Sequence, residues 1–429
     1  MLFRSARAVV PVSRPPLADG AVLVHDGYIR RVGSWKRLAS QATGRGIRIV
    51  DLGDAALLPG LVNAHAHLDY TGMAGQLAPT GSFTDWIKLI TALKASWSAA
   101  DFVRSWATGA RLLVETGTTT VADIEAMPEL LPQAWEGTPL RVLSFLEMTG
   151  VRSRRDPEAI VAETTARAAA LPVGRCRVGL SPHAPYSTTP ALLTLAAGVA
   201  RARRWRLTVH VAESDEEFDM FQHACGPMFD WLQRNARDMS DCGGCSPVAA
   251  LTRCGLLGPN LLAVHANYVE AKDLELLARH GASVVHCPRS HAFFGHRPFA
   301  YPSFVQAGIN VCLGTDSLAT APHTPHEPAR LDLFAEMLAF AAAFPGVTPL
   351  EVLQLATTRA AAALGQPRRL GRLARGAFAD LIAVPFRGEL ASLPEAVLNH
   401  HGPVSVSMIG GQWALPPRWE PATPTERPP

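Results

Sequence analysis

Eight short apolar runs lie between residues 60 and 316: GLVNAHAH, TTTVADI, RVLSFLE, CRVGLSPH, LTVHVAE, LLAVHAN, SVVHCP and NVCLGTD. Segments of helical pattern, such as DLELLARHG, separate several of them. Runs of this length suit buried strands, and strands alternating with helices specify a parallel sheet. Eight such units argue for a closed barrel. The expected fold class is therefore α/β, a (β/α)8 TIM barrel.

The ends of these runs carry the chemistry. His65 and His67 close the first, and on a strand two residues one apart project to the same side. His183 follows the fourth run, His210 ends the fifth, His265 the sixth, His286 the seventh and Asp316 the eighth. In a parallel barrel the C-terminal strand ends converge on one mouth, where catalysis takes place. An isolated HxH is ordinarily a surface pair, and a single strand-end histidine ordinarily packs in a core. Packing does not explain seven metal-capable groups collected at one set of strand ends.

The flanks read as β-structure. AVLVHDGYIRRVG holds two β-prone runs around Asp26-Gly27, a hairpin turn signal, and LGRLARGAFADLIAVP returns to a glycine-punctuated β pattern. The expected organisation is residues 1–57 and 368–415 forming one small β-sandwich, 58–367 the barrel, and 416–429 a proline-rich tail.

Composition narrows the function. A net charge of +3 over 429 residues, with no basic run, disfavours nucleic acid. No apolar stretch approaches the ~20 residues of a membrane span, and MLFRSARAVVPVSRPP lacks the apolar centre of a secretion signal. Seven scattered cysteines suggest reduced thiols. A soluble cytoplasmic protein acting on a small molecule is expected. The sequence does not give the oligomeric state, and a homodimer is compatible with it. Of the 40 basic residues only Lys36, Lys88, Lys94 and Lys272 are lysines.

The segments LPGLVNAHAHL, SPHAPYS, HVAES, VHAN, HCPRSH and LGTDS, with GAFADLIAV near the end, resemble the amidohydrolase superfamily. The branch is that of cytosine-deaminase-like and S-adenosylhomocysteine-deaminase-like aminohydrolases, and the segments occur in the family's order across residues 58–384. The resemblance implies one zinc ion per chain, with iron or manganese as alternative ions, held by His65, His67, His210 and Asp316. It assigns Glu213, three residues past His210, the acid/base role on the substrate nitrogen. Asp316 would accept the proton of the attacking water, His265 would orient that water, and His183 would lie against the substrate. Relatives with two metals bridge them with a carboxylated lysine from strand four. Here no lysine lies between Lys94 and Lys272, so a single metal and ring deamination are expected.

Alternatives are a triazine-type chlorohydrolase, or another amidohydrolase on a different ring, and a non-catalytic scaffold of the same fold. Glu213 and Asp316 are both retained, which favours an amine leaving group. Cys242 and Cys245 form a lone CxxC, whereas a structural zinc site needs further partners. The nucleic-acid deaminases carry HxE and PCxxC, which are absent. After strand seven, relatives follow H-N-P-x-S-N, whereas residues 286–296 here read HCPRSHAFFGH. Arg289 is therefore expected near the mouth, offering a planar fork to a substrate carboxylate, with Trp86 as an aromatic contact. The expected substrate is a purine nucleoside derivative, such as aminodeoxyfutalosine, S-adenosylhomocysteine or adenosine.

Overall fold

The computed structural model describes residues 1–42, 47–151, 155–172, 174–321 and 329–417; the expected tail lies almost wholly outside them. The chain opens with β1 (Leu2–Val9), β2 (Leu17–His25), β3 (Tyr28–Ser34), β4 (Ile49–Asp51) and β5 (Ala55–Pro59). Eight strands follow: β6 (Leu61–Ala66), β7 (Thr118–Glu125), β8 (Arg141–Met148), β9 (Arg177–Pro182), β10 (Leu207–Val211), β11 (Leu261–His265), β12 (Ser283–His286) and β13 (Val311–Leu313). The last three are β14 (Leu381–Pro385), β15 (Val406–Ile409) and β16 (Gln412–Leu415).

Both chain ends build one sheet, ordered β16-β15-β14-β5-β1-β2-β3, with β4 paired to β1. Its β2–β3 turn pairs His25 with Tyr28, and Asp26 and Gly27 both take positive φ, 50° and 73°. That is the type I′ geometry whose twist matches the flanking strands. Arg141 ties this sheet to the barrel by an ion pair to Asp380 at 2.6 Å.

The second sheet is parallel throughout, in the order β6 to β13. Alternation along its strands separates two environments. In β11, Leu262 and Val264 join a cluster with Val62, Ile124 and Phe145, whereas Leu261 and Ala263 pack with Leu251 and Leu277 of the surrounding helices. The ring closes between first and last strand. Thr315 and Asp316 donate their backbone N–H groups to the His65 carbonyl at 3.0 and 3.1 Å. Asn63 fastens the same seam, accepting from Thr315 N at 3.1 Å and donating to Thr315 Oγ1 at 2.8 Å. Gly314 permits this approach, since a Cβ there would lie 2.8 Å from the His65 carbonyl oxygen.

Four helices matter for the mouth: α1 (Phe83–Ala95), α2 (Ala99–Glu115), α3 (Asp215–His223) and α4 (Pro288–Phe294). No described helix is long and apolar enough to cross a membrane.

Candidate active site

The seam and the strand ends bring the predicted residues together. His65, at the end of β6, is fully buried, and both its ring nitrogens lack a partner in the protein. Its Nε2 lies 3.6 Å from Asp316 Oδ1, and His67 Nε2 lies 3.7 Å from the same oxygen. His210, from β10, donates Nδ1–H to the His183 carbonyl at 2.9 Å, which leaves its Nε2 lone pair free. That Nε2 faces His67 Nε2 at 3.3 Å. Two inward nitrogens, an unpartnered third imidazole and a carboxylate are a donor set suited to one divalent ion. Burial disfavours charging two of these imidazoles: it holds His67 and His210 well below the usual histidine range, and neighbouring histidines add to the effect. Burial opposes ionisation of Asp316, yet the ring nitrogens of His65, His265 and His67 around it keep it well below the usual carboxylate range. These are the protonation states that ligation requires.

Backbone strain aims these groups. His265, Ala266, Asp316 and Ala212 take positive φ of 70°, 49°, 52° and 51°, uncommon for residues with a Cβ and characteristic of functional turns. The Ala212 turn delivers Glu213, whose Oε1 lies 3.4 Å from His265 Nε2. Burial, then Asp316 and Glu217, push the Glu213 carboxyl well above its ordinary value, which favours its protonated form. His265 is pushed down to about 3 by burial and is neutral. His183 Nδ1 meets Ser187 Oγ at 2.7 Å, and Ser187 also bonds the Ala184 carbonyl, so His183 presents Nε2 as the acceptor.

A cavity of about 290 Å³ opens on this cluster. His67, His183, His210, Glu213, His265 and Asp316 line one side. The other side is α1, which presents Trp86, Ile87, Ile90, Thr91 and Lys94 at helical spacing, with Tyr70, Glu147 and Trp231 alongside. Trp86 therefore faces the cavity as expected, and its indole N–H has no partner in the protein.

Arg289 takes a different place. Its Nε pairs with fully buried Glu336 at 3.2 Å, and its terminal nitrogens donate to the Arg330 carbonyl at 3.1 and 3.0 Å. It does not line the cavity. A carboxylate without solvent needs a cation, and Glu336 claims this one.

Sequence reasoning missed Lys94, whose ammonium donates to Tyr70, itself stacked on His67 at 5.0 Å. It also missed Glu147, the third-strand counterpart of the polar strand ends. A lysine kept within an arginine-dominated chain was the signal for the first. Cys242 lies beside Asp241 and Arg237, with its thiol pushed up to about 12 by burial, and no group of three metal-capable side chains gathers around it among the described residues.

The model of the amidohydrolase family matches residues 56–414. The chain belongs to that family. Among its relatives is a 5-methylthioadenosine/S-adenosylhomocysteine deaminase of Syntrophobacter fumaroxidans, 33% identical over 397 residues, covering 86% of this chain and 80% of the relative. Helicobacter pylori aminofutalosine deaminase in complex with methylthio-coformycin superposes with a TM-score of 0.84 at 20% identity, over 96% of this chain and 99% of that one. An adenosine deaminase from Xanthomonas campestris with bound zinc gives 0.78 at 24%, over 96% and 92%. This amidohydrolase-family chain is a hydrolase of carbon–nitrogen bonds.

Proposed function

We propose that the protein is a zinc-dependent hydrolytic deaminase of adenosine-like nucleosides that carry a 5′ substituent. The observation that carries this reading is geometric: the Glu213 carboxyl lies 3.4 Å from His265 Nε2 and faces the same cavity as His67, His210 and Asp316, with His65 behind them. The names of the relatives support the nucleoside, and the zinc of the Xanthomonas protein supports the ion. The β9 strand has no lysine, in keeping with one metal. The barrel's retained ligands and acid disfavour a mere scaffold.

His65, His67, His210 and Asp316 would hold the ion, which when bound supplies Lewis-acid activation of a water. The remaining chemistry belongs to the side chains. His183 Nε2 and the Trp86 indole hold the purine with its amine-bearing carbon toward the metal ligands. His265 directs the water at that carbon. Asp316 takes the water's proton as the oxygen–carbon bond forms, and Glu213 gives its own proton to the adjacent ring nitrogen, so the ring accepts the electron pair. The proton on Asp316 then passes to the exocyclic amine. The carbon–nitrogen bond breaks, ammonia leaves, and the second proton of the attacking oxygen returns to Glu213. General acid–base steps of this kind contribute ~10²–10⁴-fold each.

Glu213→Gln should keep the metal and lower kcat by ~10²-fold or more, measured as ammonia release from 5′-methylthioadenosine, S-adenosylhomocysteine, aminodeoxyfutalosine and adenosine. His210→Ala should lose both metal and activity. A fully active Gln variant, or ammonia from none of these nucleosides, overturns the reading.

A further inference from the structure

The stretch SDEEF that follows Glu213 contains two more glutamates, and neither faces the cavity. Each is spent on a different backbone. Glu217 is fully buried in the first turn of α3, and its Oε2 accepts the N–H of Glu213 at 2.9 Å. It holds the catalytic turn from within. Glu216 reaches in the opposite direction, to a segment 133 residues away in sequence. Its Oε1 accepts the Phe83 N–H at 3.0 Å, its Oε2 accepts the Thr84 N–H at 2.9 Å, and the Thr84 hydroxyl donates to Oε2 as well.

Phe83 and Thr84 are the first two residues of α1, the helix that makes the far wall of the cavity. A helix leaves its first N–H groups without internal partners, and its N-terminal end favours negative charge. Ser82 caps only the Asp85 N–H, at 3.3 Å. Glu216 supplies what the local sequence does not, and its anchor point lies three residues from the acid that performs the chemistry. One side chain therefore joins the wall directly to the turn that carries the acid.

We infer that Glu216 is a positioning residue for substrate binding: it latches α1 to the catalytic turn and so fixes the width of the cavity between Trp86 and Glu213. This inference rests on the nucleoside reading for its substrate, but not for its mechanics. With the latch open, α1 keeps its packing against Phe294, which meets Phe83 and Trp86 at ring distances of 5.1 and 5.0 Å. It loses the carboxylate that holds its first two backbone N–H groups. The wall then samples wider positions, which weakens binding of substrate without removing any group that touches the reacting atoms.

Two measurements on the metal-loaded protein test the latch. The first is amide hydrogen exchange over residues 83–95, which needs no substrate. In Glu216→Gln and in Thr84→Val this segment should exchange ~10-fold faster, with the barrel strands unchanged; unchanged exchange overturns the latch. The second is the split between KM and kcat for 5′-methylthioadenosine. Glu216→Gln should raise KM ~10-fold and move kcat by less than ~3-fold, and Glu216→Asp should recover part of the loss. Glu217→Ala should show the opposite split, because it loosens Glu213 itself. A Glu216 variant that loses kcat at constant KM overturns the inference. If the wild-type protein deaminates no nucleoside, the proposed function fails, and hydrogen exchange still decides whether Glu216 latches α1.

Discussion

At the scale of single residues, Arg289 shows how a plausible functional group can be claimed by the fold. Proline at 288 sets the turn after β12, as expected, but the guanidinium swings onto Glu336, whose side chain is wholly buried. Removing one member of a buried pair leaves an uncompensated charge. Burial pushes Glu336 up to about 8 even beside Arg289, so after Arg289→Met it takes up a proton near neutral pH. The loss in denaturant unfolding should therefore stay below the ~3 kcal/mol of a stranded charge there and grow as pH rises, and Glu336→Gln in the same chain should remove that pH dependence. The ratio of kcat/KM for a carboxylate-bearing nucleoside against adenosine should stay constant in both. A selective loss for the carboxylate substrate would return Arg289 to the cavity.

At the scale of elements, the seventh-strand segment that departs from H-N-P-x-S-N has a purpose beyond the substrate. Helix α4 places His291 Nδ1 at 3.1 Å from Asn267 Oδ1, and Asn267 Nδ2 donates to the Glu213 carbonyl at 3.0 Å. Because the amide gives its N–H to a carbonyl, its oxygen must face the ring, so His291 carries its proton on Nδ1. Arg297 extends the strap with a bond to the Asn267 carbonyl at 3.3 Å. Glu213 is thus clamped at both ends of its own residue, by Asn267 at the carbonyl and by Glu217 at the N–H. Asn267→Ala should retain the metal and lower kcat ~10-fold, because small misplacements of a catalytic group are costly. Elemental analysis and single-turnover rates check this; unchanged turnover removes the strap from catalysis. Much of this site was legible in the sequence. Strand ends in a parallel barrel have one destination, so His65, His67, His183, His210, His265 and Asp316 could be gathered from position, with Glu213 added by the resemblance. His286 ends the seventh strand as well, but its ring stacks on Phe299 at 3.9 Å and does not line the cavity. Of the α1 wall only Trp86 was, because a helix inserted between the first two barrel strands shows its amphipathic face but not the surface it meets. Glu216 and Asn267 were hidden for the same reason: their partners are distant backbone atoms, which leave no pattern in side-chain identity.

At the scale of the whole molecule, the proposed metal site and barrel closure share a location. The proposed ligands His65 and Asp316 come from the ends of the first and last strands of the ring, and they sit where Thr315 and Asp316 bond to the His65 carbonyl. A ligand that binds only the closed form stabilises it by mass action. Chelation should therefore lower Tm and speed amide exchange at Thr315 and Asp316 more than at the β10–β11 pairing; equal protection with and without metal would separate the site from the seam.

The seam also has a consequence for how the protein comes into being. Asn63 and Thr315, which fasten it, are 252 residues apart in sequence. On a ribosome that adds ~5–20 residues per second, the first histidines emerge well before the aspartate that completes their set. During that interval the nascent chain offers an open sheet edge and a pair of bare imidazoles, with no complete site to load. For the proposed metal, a full set of His65, His67, His210 and Asp316 would exist only once the last strand has left the exit tunnel and found the first.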